Sequence, residues 1–147
     1  FTKIRKEGKK KINQEDRPLD RLCFMDPATK LYEAFKAAST SADKTERDNA
    51  LAHIQEVQST AGYAQVIAQL LTAYGHQDNV VTAALVGLKN YIHAKWSEEE
   101  LIPEADRAFL RENLPEFVIT AASNKNCRIL MQCVRDICDT DLIAGKW

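Results

Sequence analysis

The sequence is poor in residues that interrupt helices, with five Gly and four Pro in 147 positions. A β-sandwich needs frequent turn signals, so this scarcity favours long uninterrupted elements. No apolar run approaches the roughly 18 residues that cross a membrane, and the basic start is not followed by the apolar stretch of a signal peptide. We therefore expect one ordinary domain with no membrane insertion.

Motifs that carry chemistry are also missing. Four cysteines include no Cys-x-x-Cys pair, and Cys127, Cys133 and Cys138 miss the spacing that places ligands on one helix face, so we predict reduced thiols and no metal site. The sequence contains no glycine-rich phosphate loop and no recognisable nucleophile motif beside a histidine. His93, close to Trp96, is interpreted as a helix-face histidine in preference to a catalytic base. These observations predict a binding protein, with no enzymatic activity and no cofactor.

Charge is distributed unevenly along the chain. Residues 1–24 carry eight Lys/Arg against four Asp/Glu, whereas residues 25–147 carry twelve against seventeen. An acidic body suits a basic protein partner and is unsuited to direct nucleic-acid binding, which needs a basic face. The first segment has few apolar residues and no period, so residues 1–25 are predicted to be a disordered or non-native leader, with Met25 as a candidate start. Its Lys-Lys-Lys run is either a solvated charge run or a nuclear-localisation signal.

After residue 25 the apolar spacing is that of six amphipathic helices. Asp26 can cap the first helix, Pro27 fits its first position, and Gly75 can end the third helix in a left-handed conformation. Pro115 should kink the fifth helix, because its ring clashes with the carbonyl four residues back. The predicted helices span about 27–38, 44–58, 63–74, 78–95, 103 to at least 118, and 125–138.

Short polar breaks pair these helices into three hairpins. The hairpins start near Pro27, Tyr63 and Glu104, a repeat of roughly 35–45 residues. The fold class predicted is all-α, a stack of helical-hairpin repeats, with a compact six-helix bundle as the alternative. A terminal repeat needs a polar outer face, and the sixth helix is strongly apolar, so we expect further repeats beyond this N-terminal fragment.

The fourth helix carries an apolar stripe beside a polar pair. Leu88, Ile92 and Trp96 lie four residues apart and should pack inward together. Lys89 and Asn90 are turned about 100° and 200° away from Leu88. They are either the solvated edge of a core helix or a contact surface.

The stretch LKNYIHAKW, with IPEADRAFLRENLPEFV and CRILMQCVRDICDTDLIAGKW after it, resembles the N-terminal region of the importin-β superfamily of nuclear transport receptors. The resemblance rests on Leu-Lys-Asn, on Trp96, on the pair Asp106 and Arg107 that opens a helix, and on a last helix that ends in aspartate before a final Trp. It covers roughly residues 27–147, including ERDNALAHIQEVQSTAGYAQVIAQLL. The order of these motifs is most similar to the large import receptors and the exportin that recycles importin-α.

Three departures from the family pattern are visible. Ala50-Leu51 stands where the family often has Ala-Glu. The family usually has an arginine before the alanines that precede Leu-Lys-Asn, and the stretch NVVTAALVGLKN has none. Pro115 replaces an ordinary helical residue. These departures bear on individual contacts more than on the fold.

The resemblance implies an α-α superhelix of about three HEAT repeats over residues 26–147. Its inner helices would be residues 44–58, 78–96 and 125–138, and in the family the inner surface of the first repeats grips the small GTPase Ran in its GTP form. It further implies protein cargo, expected to be basic, contacts with nuclear pore proteins at the nuclear envelope, and a location in cytoplasm and nucleus.

Candidate Ran contacts follow from this resemblance. Lys89 is expected to project to the concave face and meet an acidic patch on Ran, whereas Asn90 either contacts Ran or bonds the backbone of the next loop. Asp48, Gln55 and His93 are weaker candidates on the inner helices. The alternative function is a HEAT or armadillo scaffold or regulatory subunit unrelated to Ran, and a small α-helical enzyme is a more distant one.

Overall fold

The computed structural model describes residues 26–121 and 124–145, and every regular element within them is an α-helix. This confirms the all-α prediction. The predicted leader, residues 1–25, and the final Trp147 lie outside the described residues. The six helices are α1 (Pro27–Thr40), α2 (Lys44–Ser59), α3 (Tyr63–Tyr74), α4 (Asn79–Lys95), α5 (Glu104–Thr120) and α6 (Asn126–Asp141).

Local signals explain where these helices begin and end. Asp26, Asp43 and Asp78 each accept a backbone N–H of the helix that follows, at 2.9, 2.9 and 2.7 Å, which satisfies a donor that has no partner inside the helix. Gly75 ends α3 with φ of 75°, a left-handed conformation that glycine adopts without steric cost. Most predicted boundaries therefore agree with the structure.

Helices α5 and α6 differ in detail from the prediction. The sequence placed the end of α6 near Cys138, but the helix continues to Asp141, whose buried side chain bonds to neighbouring helices and holds the last turn. Helix α5 begins at Glu104, directly after Pro103, and continues through the exposed Pro115 to Thr120.

The helices pack as three antiparallel hairpins, α1–α2, α3–α4 and α5–α6. The second and third hairpins stack layer on layer, because α3 packs on α5 and α4 packs on α6. The first hairpin is arranged differently: α1 contacts both α3 and α4, while α2 rests mainly on α1 and only touches α3. The architecture is a HEAT-type helical repeat fragment, as the sequence predicted.

One continuous apolar core runs through all six helices. Its most central side chains are fully buried, and each contributes about 1.5–3 kcal/mol relative to exposure. Helix α2 adds only Ala50 and Ile54, whereas α4 adds six buried residues. The second helix of each hairpin keeps an exposed side, which includes Gln55, Asn90 and Arg135. The fully buried side chains include Leu31, Ile67, Leu70, Leu88, Ile92, Leu114, Leu130 and Ile137.

Candidate partner-binding surface

The apolar stripe of α4 is completely covered. Leu88 and Ile92 are 0% exposed and Trp96 is 2% exposed. Since residues four apart lie on one side of a helix, this stripe fixes which side of α4 faces the core. Lys89 and Asn90, one and two positions after Leu88, are consequently turned toward the edge and the outer surface of the helix, whereas Tyr91, just before Ile92, is still buried.

Lys89, Asn90 and His93 occupy that edge and outer surface. Asn90 is exposed, Lys89 is half-buried, and the His93 side chain is 77% exposed. Lys89 and His93, one turn apart, lie on the side of α4 that faces α6. The His93 Nδ1 atom is 3.4 Å from Oδ2 of Asp136 on α6.

The buried thiol of Cys133 on α6 lies close to both Lys89 and Asp136, as the charges that act on it show. Burial, together with the smaller effect of the Asp136 charge, raises the pKa of Cys133 to about 12, and the charge of Lys89 opposes this shift. Lys89 and Asp136 therefore lie within electrostatic reach of one buried sulfur atom. With that pKa the thiol stays protonated at neutral pH, and a protonated thiol is unreactive.

Asp48 and Gln55 are exposed on α2 and lie away from the seam, the line of contact between α4 and α6. The neighbour of α4 on this side is α6, whereas α2 is packed mainly on α1. The structure thus brings Lys89 and His93 together beside α6, leaves Asn90 on the exposed surface of α4, and places Asp48 and Gln55 on a different hairpin.

Asp106 and Arg107, the pair that opens α5, are buried and act on the backbone of neighbouring segments. Both carboxylate oxygens of Asp106 accept the backbone N–H of Gly62, at 3.1 Å each, at the start of α3. Arg107 donates to the carbonyl oxygens of Trp96, Ile102 and Glu98 at 2.9, 3.2 and 2.7 Å. This motif joins the end of α4, the loop after it and the start of α3. Its role is therefore to hold neighbouring segments of the fold in position.

Arg111 and Asp141 complete the joint around Trp96; the sequence offered the terminal aspartate only as a family motif and gave neither residue this role. The indole Nε1–H of Trp96 donates to Asp141 Oδ1 at 3.0 Å, and Arg111 Nε donates to Asp141 Oδ2 at 2.8 Å. The guanidinium carbons of Arg107 and Arg111 lie 4.7 and 5.4 Å from the centre of the Trp96 ring, a distance at which cations attract an aromatic face. A single carboxylate therefore ties α4, α5 and α6 together.

A second polar joint lies at the opposite ends of α4 and α6. Asn126 is fully buried, accepts a hydrogen bond from the Thr82 hydroxyl at 2.8 Å, and donates to the His76 carbonyl at 3.3 Å. The sequence offered no signal for this role beyond the position of Asn126 near a helix start.

The sequence separation of the bonded residues is nearly constant and gives the length of the repeat. Gly62–Asp106, Thr82–Asn126 and Trp96–Asp141 join residues 44, 44 and 45 positions apart. Each bond connects a point of the second hairpin to nearly the same point of the third. Repeats that each contact their neighbours through the same interface are the basis of a solenoid.

Two kinds of site are not found among the described residues. Their His, Cys, Asp and Glu side chains form no group of three or more that could hold a metal ion. None of the described helices combines the length and apolarity that crossing a membrane requires.

Fold and surface together define a class of protein: a helical-hairpin repeat domain with an exposed polar edge on an inner helix. Residues 50–120 match the family model described as the importin-beta N-terminal domain. This match supports membership of the importin-β superfamily. Comparison with curated proteins and with solved structures gave no match.

Proposed function

We propose that this chain is the Ran·GTP-binding part of a nuclear transport receptor. The observation that carries the proposal is the family match over residues 50–120, because this domain is the Ran·GTP-binding region of the importin-β family. The match includes all of α4, and with it the polar edge formed by Lys89, Asn90 and His93.

The polar edge of α4 suits a protein partner. Lys89 presents a cation from a half-buried stem, and it has no salt-bridge partner within 4.0 Å among the described residues. A cation on a fixed helix that forms no ion pair within the described part of the chain is available to a carboxylate of a partner, where a charge pair contributes to affinity and specificity. Lys89 is therefore the residue we expect to contribute most.

The wider role of the protein is part of the same proposal. We propose that the chain binds a protein partner and catalyses no reaction. It works within a receptor that carries basic protein cargo past nuclear pore proteins, between cytoplasm and nucleus. The acidic balance of residues 25–147 supports basic cargo, because opposite charges steer association. By the order of its motifs we assign it to the branch of large import receptors and the importin-α exporter.

The proposal is tested by binding the chain to Ran loaded with a non-hydrolysable GTP analogue and, separately, with GDP. Preference for the GTP form supports it, whereas equal or absent binding favours a HEAT or armadillo scaffold unrelated to Ran. Lys89→Glu should weaken binding of the GTP form by roughly tenfold or more, since it replaces an attraction with a repulsion.

A matched control separates this effect from general charge. Lys36→Glu makes the same change at an exposed position on α1, and it should leave affinity nearly unchanged. Both variants should keep the melting temperature of the wild type. An unchanged affinity for Lys89→Glu would remove Lys89 from the contact surface.

A further inference from the structure

The seam between α4 and α6 contains a carboxylate oxygen with no hydrogen-bond donor. Asp136 accepts a hydrogen bond from Gln132 Nε2 on Oδ1 at 3.0 Å. Its other oxygen, Oδ2, is buried and has no hydrogen-bond partner among the described residues, although the whole side chain is still 14% exposed. The buried carboxylates of Asp106 and Asp141 differ, because donors reach both oxygens of each.

An unpaired oxygen of this kind carries a free-energy cost. A buried acceptor without a donor loses its bonds to water and gains nothing in return, and the loss is larger for a charged group. A donor that reaches Oδ2 therefore recovers a large free energy, most of all when the donor is a cation. The Gln132 bond holds the carboxylate in one orientation, so the free oxygen points in a defined direction.

His93 is the group that covers this oxygen. Its Nδ1 lies 3.4 Å from Oδ2, close enough for an ion pair, but the two atoms do not have hydrogen-bond geometry. With 77% of its side chain exposed, His93 is held by few contacts and can rotate away from α6. The neighbouring cation on α6, Arg135, is 3.9 Å from Asp139 and 74% exposed, so it points away from Asp136.

We propose that Asp136 is a partner contact, at which a Lys or Arg side chain of the bound protein displaces His93 and bonds to Oδ2. This inference rests on the proposed function, since the bound protein is Ran in its GTP form. His93 then acts as a displaceable cover and contributes little affinity of its own. Because Lys89 lies one turn before His93, the partner surface must present a cation for Asp136 beside an anion for Lys89.

This pairing of opposite charges gives specificity. A partner surface with only acidic groups would be repelled by Asp136. A partner surface with only basic groups would be repelled by Lys89. Juxtaposed like charges across an interface disfavour wrong partners more than matched charges strengthen the right one. The seam therefore selects a partner with both signs at the matching spacing.

Asp136→Asn tests the proposal with the full 147-residue chain and Ran carrying the GTP analogue. Asparagine keeps the shape and the acceptor for Gln132 but removes the charge. Affinity should fall by about tenfold or more, the loss expected for a charge-assisted hydrogen bond. The melting temperature should stay level or rise, because a buried charge without a donor has been removed.

The control is Asp139→Asn, three residues along the same helix, where the side chain is 71% exposed. It should change neither affinity nor melting temperature. His93→Ala should raise affinity, since it uncovers the carboxylate that the partner must otherwise reach by displacing the ring.

Several outcomes overturn the inference. These are an unchanged affinity for Asp136→Asn, a fall in both its affinity and its melting temperature (the signature of a purely structural role), or an unchanged or weaker affinity for His93→Ala. If the wild-type chain prefers the GTP form and Asp136→Asn binds that form with the affinity of the wild type, only this inference fails. If wild type shows no preference for the GTP form, the proposed function fails and the inference with it.

Discussion

The two junctions between consecutive hairpins are built from different interactions. Where the second hairpin meets the third, buried polar side chains make directional bonds: Asp106 to the Gly62 N–H, Asn126 to Thr82, and Asp141 to Trp96 and Arg111. Where the first meets the second, aromatic rings supply most of the contact, and one hydrogen bond, from the Tyr32 hydroxyl to Asp78, accompanies them. Tyr32 stacks on Tyr74 with ring centres 3.8 Å apart, and Phe35 lies against Gly87.

The difference between the two junctions indicates which hairpin is held more rigidly. A hydrogen bond weakens steeply with angle, so a junction with several buried ones has one favoured geometry. Stacked rings and apolar contacts are less directional and tolerate small rotations. We therefore expect the α1–α2 hairpin to tilt more easily than the α5–α6 hairpin, while the α4–α6 seam keeps its shape for a partner.

Asp141→Ala should have the largest effect and tests whether polar bonds hold the second junction. It leaves the Trp96 N–H and the Arg111 guanidinium without their acceptor, and breaking a buried ion pair on one side costs about 3 kcal/mol or more. Urea denaturation followed by circular dichroism measures the loss. Asp139→Ala, on the same helix and exposed, should stay within about 0.5 kcal/mol. Similar losses for the two variants would contradict the comparison.

Gly87→Ala tests the close approach of α1 to α4 at the first junction. A Cβ at this position would lie 3.0 Å from Cζ of the buried Phe35 ring. Overpacking of this kind costs about 1–3 kcal/mol, only partly offset by the roughly 1 kcal/mol that alanine gains over glycine in a helix. Thermal unfolding should show a net loss. In a Phe35→Leu background the same substitution should be neutral or stabilising, and if it is equally harmful there, the ring is not the cause.

Tyr32→Phe tests the hydrogen bond between the Tyr32 hydroxyl and Asp78 Oδ2, 2.7 Å long, at the first junction. Its loss should cost about 1 kcal/mol at pH 7. The bond from Tyr32 is the main reason why the pKa of Asp78 lies below its usual value of 3.8. A lowered folded-state pKa means that this stability is present above pH 3.8 and is lost as pH falls through the folded pKa.

The stability difference between wild type and Tyr32→Phe should therefore shrink on acidification. Urea midpoints at pH 7 and at pH 3 measure it. A difference that stays constant between these pH values would show that the ionised carboxylate is not the acceptor that matters.

Leu51→Gln should have the smallest effect and checks the position of α2. Leu51 is 49% exposed, because α2 rests on α1 instead of packing along α4. The substitution should change stability by no more than about 0.5 kcal/mol. Ile54→Ala on the same helix, 6% exposed before the change, should cost about 2 kcal/mol or more. A cost for Leu51→Gln close to that of Ile54→Ala would place α2 against another helix.

Much of the fold was predictable from local patterns. Six apolar stripes at helical spacing gave six helices, and the caps at Asp26 and Asp78 lie where short polar side chains precede an apolar stripe. The end of α6 was placed too early, because the polar residues after Cys138 resemble a helix end. The sequence contains no sign that the last of them, Asp141, turns inward.

The candidate surface was predictable only in part. The stripe of Leu88, Ile92 and Trp96 fixed which way α4 faces, and so placed Asn90 at the surface. The neighbour of that surface was not predictable. Which helix lies beside Lys89, and that it is α6 and not α2, depends on how whole hairpins cross. That angle is set by side chains far apart in sequence.

By itself the sequence determined the helices, their apolar faces and the family, since each depends on residues within a few positions or on motifs read in order. The tertiary structure alone decided what the aspartates of α6 do. Asp136, Asp139 and Asp141 lie within six residues, yet their side chains are 14%, 71% and 2% exposed. The residues that contact Asp136 and Asp141 are His93, Trp96 and Arg111, which lie 30 to 45 positions earlier in the chain, so no local pattern can distinguish the three aspartates.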